Sequence, residues 1–210
     1  MTLTDKINRT ARKVPSWPIY VAGTLPLLWL VFLLFTGGLG VDPVKSLEHR
    51  LGEIGLQFLV ASLAVTPLCR YARLNLIKFR RAIGLLAFYY VLLHVLVWLL
   101  LDMQLIWSEI LKDLYKRPYI FIGMVGFLAL IPLALTSNDY SIKKMGAAAW
   151  RKLHKLAYLA GIAGALHYMM LVKAWPIEPI LYCAAVAALL LIRAEWSLQR
   201  RLAAAAQAAQ

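Results

Sequence analysis

Apolar residues in this chain fall in six long blocks, at 18–35, 54–68, 82–101, 119–135, 153–172 and 177–192, joined by short polar connections. A helix that is apolar all round has no face to offer to water and is buried in a core or a bilayer. A hydrocarbon layer about 30 Å thick takes roughly 20 such residues to cross. The blocks are of that order. The pattern therefore predicts an all-α integral membrane protein, a six-transmembrane-helix bundle forming one domain over residues 1–210. The second block is the shortest and starts beside Glu53 and Gln57, which puts its outer end at the interface. Pro26 interrupts the first block, where a membrane helix tolerates it with a kink. The pattern shows no convincing internal repeat, no connection is long enough to fold separately, and the tail AAAAQAAQ is of low complexity. The polar, basic start followed by an apolar run resembles a signal peptide. No A-x-A-like site closes the run, so the first block reads as a retained span.

Charge adds an orientation. The chain is 62% apolar and 16% charged, with a net charge of +13. With the N-terminus set inside, the inner segments hold 17 of the Lys and Arg residues and the outer ones 6, while seven of the ten acids fall outside. By the positive-inside rule both termini are expected to be cytoplasmic. A nucleic-acid binder would gather its basic residues on a soluble fold. Here they lie in short runs between apolar blocks, which argues against that class. Cys69 and Cys183 form no CxxC motif and are expected near opposite faces of the bilayer, so both read as packing residues.

Four histidines carry the candidate chemistry. His49, between Glu48 and Arg50, reads as a solvated loop residue. His94 lies in the apolar run YYVLLHVLVWLL, and His167 follows AGIAGAL. An ionisable group inside a span usually faces the bundle interior, where it has a partner. Taken alone, either one reads as a histidine hydrogen-bonded to a neighbouring helix. Counted from the cytoplasmic ends of their blocks, His94 stands about 18 Å and His167 about 21 Å up the helix axis. Two neutral imidazoles at one level can hold a haem iron from both sides. Zinc wants about four ligands, and blocks three and five offer no carboxylate or thiolate at this depth. A proton relay would need a chain of acids that the spans lack. Haem is the stronger reading.

His154 precedes His167 by thirteen residues, about 20 Å along the axis and roughly 140° around an ideal helix. One face serves both only if the helix is distorted, for example by a π-bulge near Gly161 or Gly164, or if His154 comes before the regular turns. No histidine of block three stands opposite it; Arg80 and Arg81 do. A charged arginine is a poor iron ligand and a good partner for haem propionates. His154 keeps two readings, ligand of a second haem at the inner face or an interfacial histidine in a basic turn.

The tracts GGLGVDPVKSLEH, RRAIGLLAFYYVLLH, RPYI and WRKLHKLAYLAGIAGALHY together resemble the MsrQ family, formerly YedZ. These are haem-binding membrane subunits of bacterial periplasmic methionine sulfoxide reductase systems. More broadly the chain resembles the ferric-reductase-like transmembrane domain shared with NADPH oxidases. That superfamily typically places two histidines on each of helices three and five, holding two stacked b-type haems. His94, His154 and His167 match three of the four positions, and Arg80 or Arg81 stands at the fourth. The resemblance implies electron transfer across the bacterial inner membrane to a periplasmic molybdopterin catalytic subunit of the MsrP type. It implies the quinone pool as donor and FMN as a further cofactor, which would have to sit on loops or at the membrane face. The connections 37–53 and 102–118 are then the docking candidates for the partner. Two other classes stay open, a stand-alone ferric or oxygen reductase and a haem-free transporter or scaffold.

Overall fold

A computed structural model describes residues 2–172 and 176–208. Among them every regular element is helical: α1 (Leu3–Lys13), α2 (Trp17–Phe35), α3 (Pro43–Tyr71), α4 (Arg80–Val97), α5 (Trp107–Lys116), α6 (Pro118–Leu135), α7 (Asp139–Met145), α8 (Ala147–Leu153), α9 (Leu156–Leu171) and α10 (Ile177–Ala208). A 3₁₀ turn, Ile77–Phe79, leads into α4, and a π turn, Trp98–Asp102, follows it. Five helices are long and apolar enough to cross a membrane: Trp17–Phe35, Pro43–Tyr71, Ile77–Asp102, Pro118–Leu135 and Ile177–Gln207.

The fifth predicted block, 153–172, is not one rod. It comprises the end of α8, a turn at His154 and Lys155, and the 16 residues of α9, about 24 Å long. The second block, expected at 54–68, belongs to a 29-residue helix. Asp42 caps that helix early, its carboxylate accepting from the Lys45 N–H at 3.0 Å with Pro43 in the first turn. Most of the expected loop 37–53 is therefore helix, and His49 is a helical residue rather than a loop residue. The expected loop 102–118 likewise contains α5. Lys173, counted with the outer connections, lies outside the described residues.

Tight helix pairs position the site. α3 packs most extensively on α4, and α6 on α9, giving two antiparallel hairpins. Two prolines are accommodated by side chains from other helices. Beside Pro26 in α2, the fully buried Tyr90 hydroxyl donates to the Gly23 carbonyl (2.7 Å) and accepts from the Leu27 N–H (3.0 Å). It thereby stands between a donor and acceptor that would otherwise pair along α2. In α3, Pro67 has no N–H to give to the Leu63 carbonyl four residues earlier. Arg193 of α10 donates to that carbonyl instead, its guanidinium also lying over the Tyr158 ring. At the end of the bundle near α1, Asn8 donates to the Arg73 carbonyl and accepts from the Asn75 N–H, tying α1 to the α3–α4 connection.

Candidate functional site

The two hairpins face each other across a cavity of about 1170 Å³, counted with the part that opens to solvent, and His94 and His167 stand on its walls. Their ring centres are 6.1 Å apart and their planes 74° apart. His94 Nδ1 lies 2.8 Å from the Glu48 carbonyl, and His167 Nδ1 lies 2.7 Å from the Tyr119 carbonyl. A carbonyl oxygen can only accept, so in both rings Nδ1 carries the proton. Nε2 then keeps a free lone pair on the far side of each ring, with no hydrogen-bond partner among the described residues.

Both histidines sit in the same cradle. Glu48 lies in the second turn of α3 and Tyr119 in the first turn of α6, and each carbonyl stands four residues before a glycine, Gly52 or Gly123. A Cβ at Gly52 would come 3.0 Å from His94 Nδ1, and one at Gly123 would come 2.7 Å from His167 Nδ1. Only a residue without a side chain leaves each imidazole room to reach the carbonyl one turn back. A second glycine follows three residues later in each helix: a Cβ at Gly55 would come 2.8 Å from Val91, and one at Gly126 would come 3.1 Å from Ala163. The two hairpins thus repeat one cradle, which the apolar blocks do not reveal. Sequence reasoning missed both glycines. Their signal is the spacing GxxG at 52–55 and again at 123–126, upstream of a histidine each time by 42 and 44 residues.

This arrangement fits a metal held between two imidazoles. Metal–imidazole nitrogen bonds run about 2.0–2.1 Å, so two rings on opposite sides of one metal have centres about 6.3 Å apart. The observed 6.1 Å agrees. Apolar neighbours such as Leu56, Leu59, Val91, Phe127 and Leu130 line the rest of the cavity, which suits a flat apolar macrocycle. At its mouth lie Lys45, Glu48, His49, Asp102 and Arg117. Glu48 Oε2 is buried with no partner among the described residues.

His154 is elsewhere and differently held. It precedes the regular turns of α9, and the π turn occurs after α4 rather than near Gly161 or Gly164. Its Nε2 lies 3.1 Å from Thr136 Oγ1, while that hydroxyl is 2.6 Å from the Pro132 carbonyl. The hydroxyl has one proton, which goes to the carbonyl, so it accepts from His154 and Nε2 is the N–H. Trp150 covers the ring at 3.8 Å, its own N–H donating to the Thr136 carbonyl. Arg80 and Arg81 begin α4 at this same end, and neither lines the His94–His167 cavity. Arg81 is paired with Asp139, whose carboxyl is held below its usual range first by that hydrogen bond and then by the arginine's charge.

The family model for the ferric reductase like transmembrane component matches residues 51–165, more than half of the chain. The class of protein is therefore that of ferric-reductase-like membrane components. Relatives from Brucella ovis, Brucella suis and Brucella melitensis are each named protein-methionine-sulfoxide reductase heme-binding subunit MsrQ. Each is 50% identical over 177 residues, covering 84% of this chain and 80% of the relative. The chain belongs to the MsrQ family.

Proposed function

We propose that the chain is the haem-binding electron-transfer subunit of a methionine sulfoxide reductase system, with one b-type haem held by His94 and His167. The observation that carries this reading is the 6.1 Å separation of two imidazoles whose Nδ1–H groups are each tied to a backbone carbonyl. When bound, haem supplies a one-electron carrier whose potential the protein tunes. The carbonyls of Glu48 and Tyr119 fix each ring's tautomer and raise the basicity of Nε2. Gly52 and Gly123 set the depth of the rings, and the apolar walls exclude water.

In this reading the chain crosses the bacterial inner membrane six times with both termini cytoplasmic, α9 being its short fifth span. Electrons come from the quinone pool or a flavin donor and leave to a periplasmic molybdopterin subunit of the MsrP type, with FMN as a further cofactor. Outward movement of an electron from a negative interior is downhill by about 2.3 kcal/mol per 100 mV. The reading takes His154, held by Thr136 and covered by Trp150, as the interfacial histidine of a basic turn, and assigns Arg80 and Arg81 no propionate.

A pyridine-haemochrome assay on purified protein, followed by reduction and mixing with the catalytic subunit, tests this. One haem per chain, lost in His94→Ala and in His167→Ala, and reoxidised by the subunit only with methionine sulfoxide present, is expected. Direct reduction of ferric chelates or oxygen without the subunit would favour a stand-alone reductase. Absence of a Soret band would leave a transporter or scaffold.

A further inference from the structure

Two cations stand at the mouth of the His94–His167 cavity, and neither orients an imidazole. Lys45 lies on α3 seven residues before Gly52, and Arg117 caps α6 six residues before Gly123. Each hairpin thus brings one imidazole, one carbonyl, one glycine and one cation to the cavity. Asp102, at the end of the π turn, holds Lys45 at 3.2 Å, and Asp113 of α5 holds Arg117 at 3.3 Å. The cations' side chains stay 44% and 47% exposed. An ammonium has three donors and a guanidinium five, so after one ion pair each keeps donors free. Glu48, whose Oε2 is buried without a partner among the described residues, lines the same cavity. Each cation would attract an anionic group brought to the mouth.

Haem has an apolar ring system and two carboxylate side chains on one edge, and the cavity has apolar walls with two cations at one end. We propose that Lys45 and Arg117 receive those two carboxylates, one cation for each, so that haem is seated with its charged edge at the mouth. The proposal rests on the assignment of His94 and His167 as ligands. It moves the propionate contact from Arg80 and Arg81, at the other end of α4, to the end where both imidazoles are.

The test compares the purified wild-type protein with Lys45→Gln, Arg117→Gln, the double variant, Lys45→Arg and Asp102→Asn. Haem transfer to a scavenging apoprotein and the midpoint potential are measured. Each single neutralisation is expected to speed release about tenfold, the scale of one charge-assisted hydrogen bond. The double variant should compound the two effects. The potential should fall, because a nearby positive charge favours the form holding the extra electron. Lys45→Arg should restore both readouts. Asp102→Asn leaves the cation in place and should not speed release. If it matched Lys45→Gln, the Lys45–Asp102 bridge alone would matter and the proposal would be overturned. Haem dimethyl ester, which lacks both charges, should bind wild type more weakly than haem and bind the double variant equally well. A haem-loaded double variant with wild-type release and potential would sink this proposal alone. A wild type without haem absorbance would take the histidine assignment down with it.

Discussion

His94 and His154 are the same side chain set near opposite ends of the bundle, and their second partners make them different chemical objects. At His94 the partner is a helix carbonyl, which cannot donate, so the proton stays on Nδ1 and Nε2 keeps its lone pair. At His154 the partner is the Thr136 hydroxyl, whose only proton goes to Pro132, so Nε2 donates and the ring's free lone pair is on Nδ1 instead. His167 repeats the first arrangement from the other hairpin. A stacked tryptophan closes the His154 ring face, whereas glycines open the space around the other two. The group on one nitrogen decides which nitrogen keeps the lone pair: Nε2 in His94 and His167, Nδ1 in His154.

The largest way to break this contrast is to delete the rings. His94→Ala should abolish haem binding, and His154→Ala should leave the haem-to-protein ratio unchanged; a ratio lowered by half in the second variant would refute the contrast. Next come the glycines. Gly123→Ala puts a Cβ 2.7 Å from His167 Nδ1, inside any real contact, and should weaken haem retention about tenfold or more, the scale of overpacking. Gly52→Ala, at 3.0 Å, should cost less, so haem titration of the two variants should rank them in that order.

A smaller effect is expected at the other end. Thr136→Val removes the hydroxyl that joins Pro132 to His154, and should lower unfolding stability by about 1–2 kcal/mol with the Soret spectrum unchanged. Appearance of a second haem spectrum in that variant would show that the hydroxyl alone had masked a ligand. The smallest effect concerns Asp139. Its folded pKa is depressed by Arg81, so the pair's contribution is present above the usual carboxylate range and is lost as pH falls through the lowered value. Melting temperatures of wild type and Asp139→Asn should therefore differ slightly at neutral pH and converge in acid. Both side chains are largely exposed, at 43% and 76%, which keeps the difference small.

Much of the scaffold was legible before any coordinates. The apolar blocks mark the helices because a bilayer crossing demands an unbroken apolar run. The start of α3 was misjudged because its first three turns carry Lys45, Glu48, His49 and Arg50, a polar stretch that only a helix projecting past the apolar layer would contain. The break at His154 was one of two ways to reconcile its angle with His167, and the chain takes that one. Arg193 counted only as a topology charge, yet it supplies the donor that Pro67 lacks. No local pattern links residues 130 positions apart.

The sequence by itself determined the helical class, the membrane-scale lengths and the two histidines deep in blocks three and five, since each depends on residue type and spacing along one rod. Which nitrogen carries the proton, which glycine makes room and which cation stands at the mouth were decided only when separate helices packed together. Those are relations between residues from different helices, fixed by interhelical distances of a few ångströms, and a one-dimensional pattern holds no record of them.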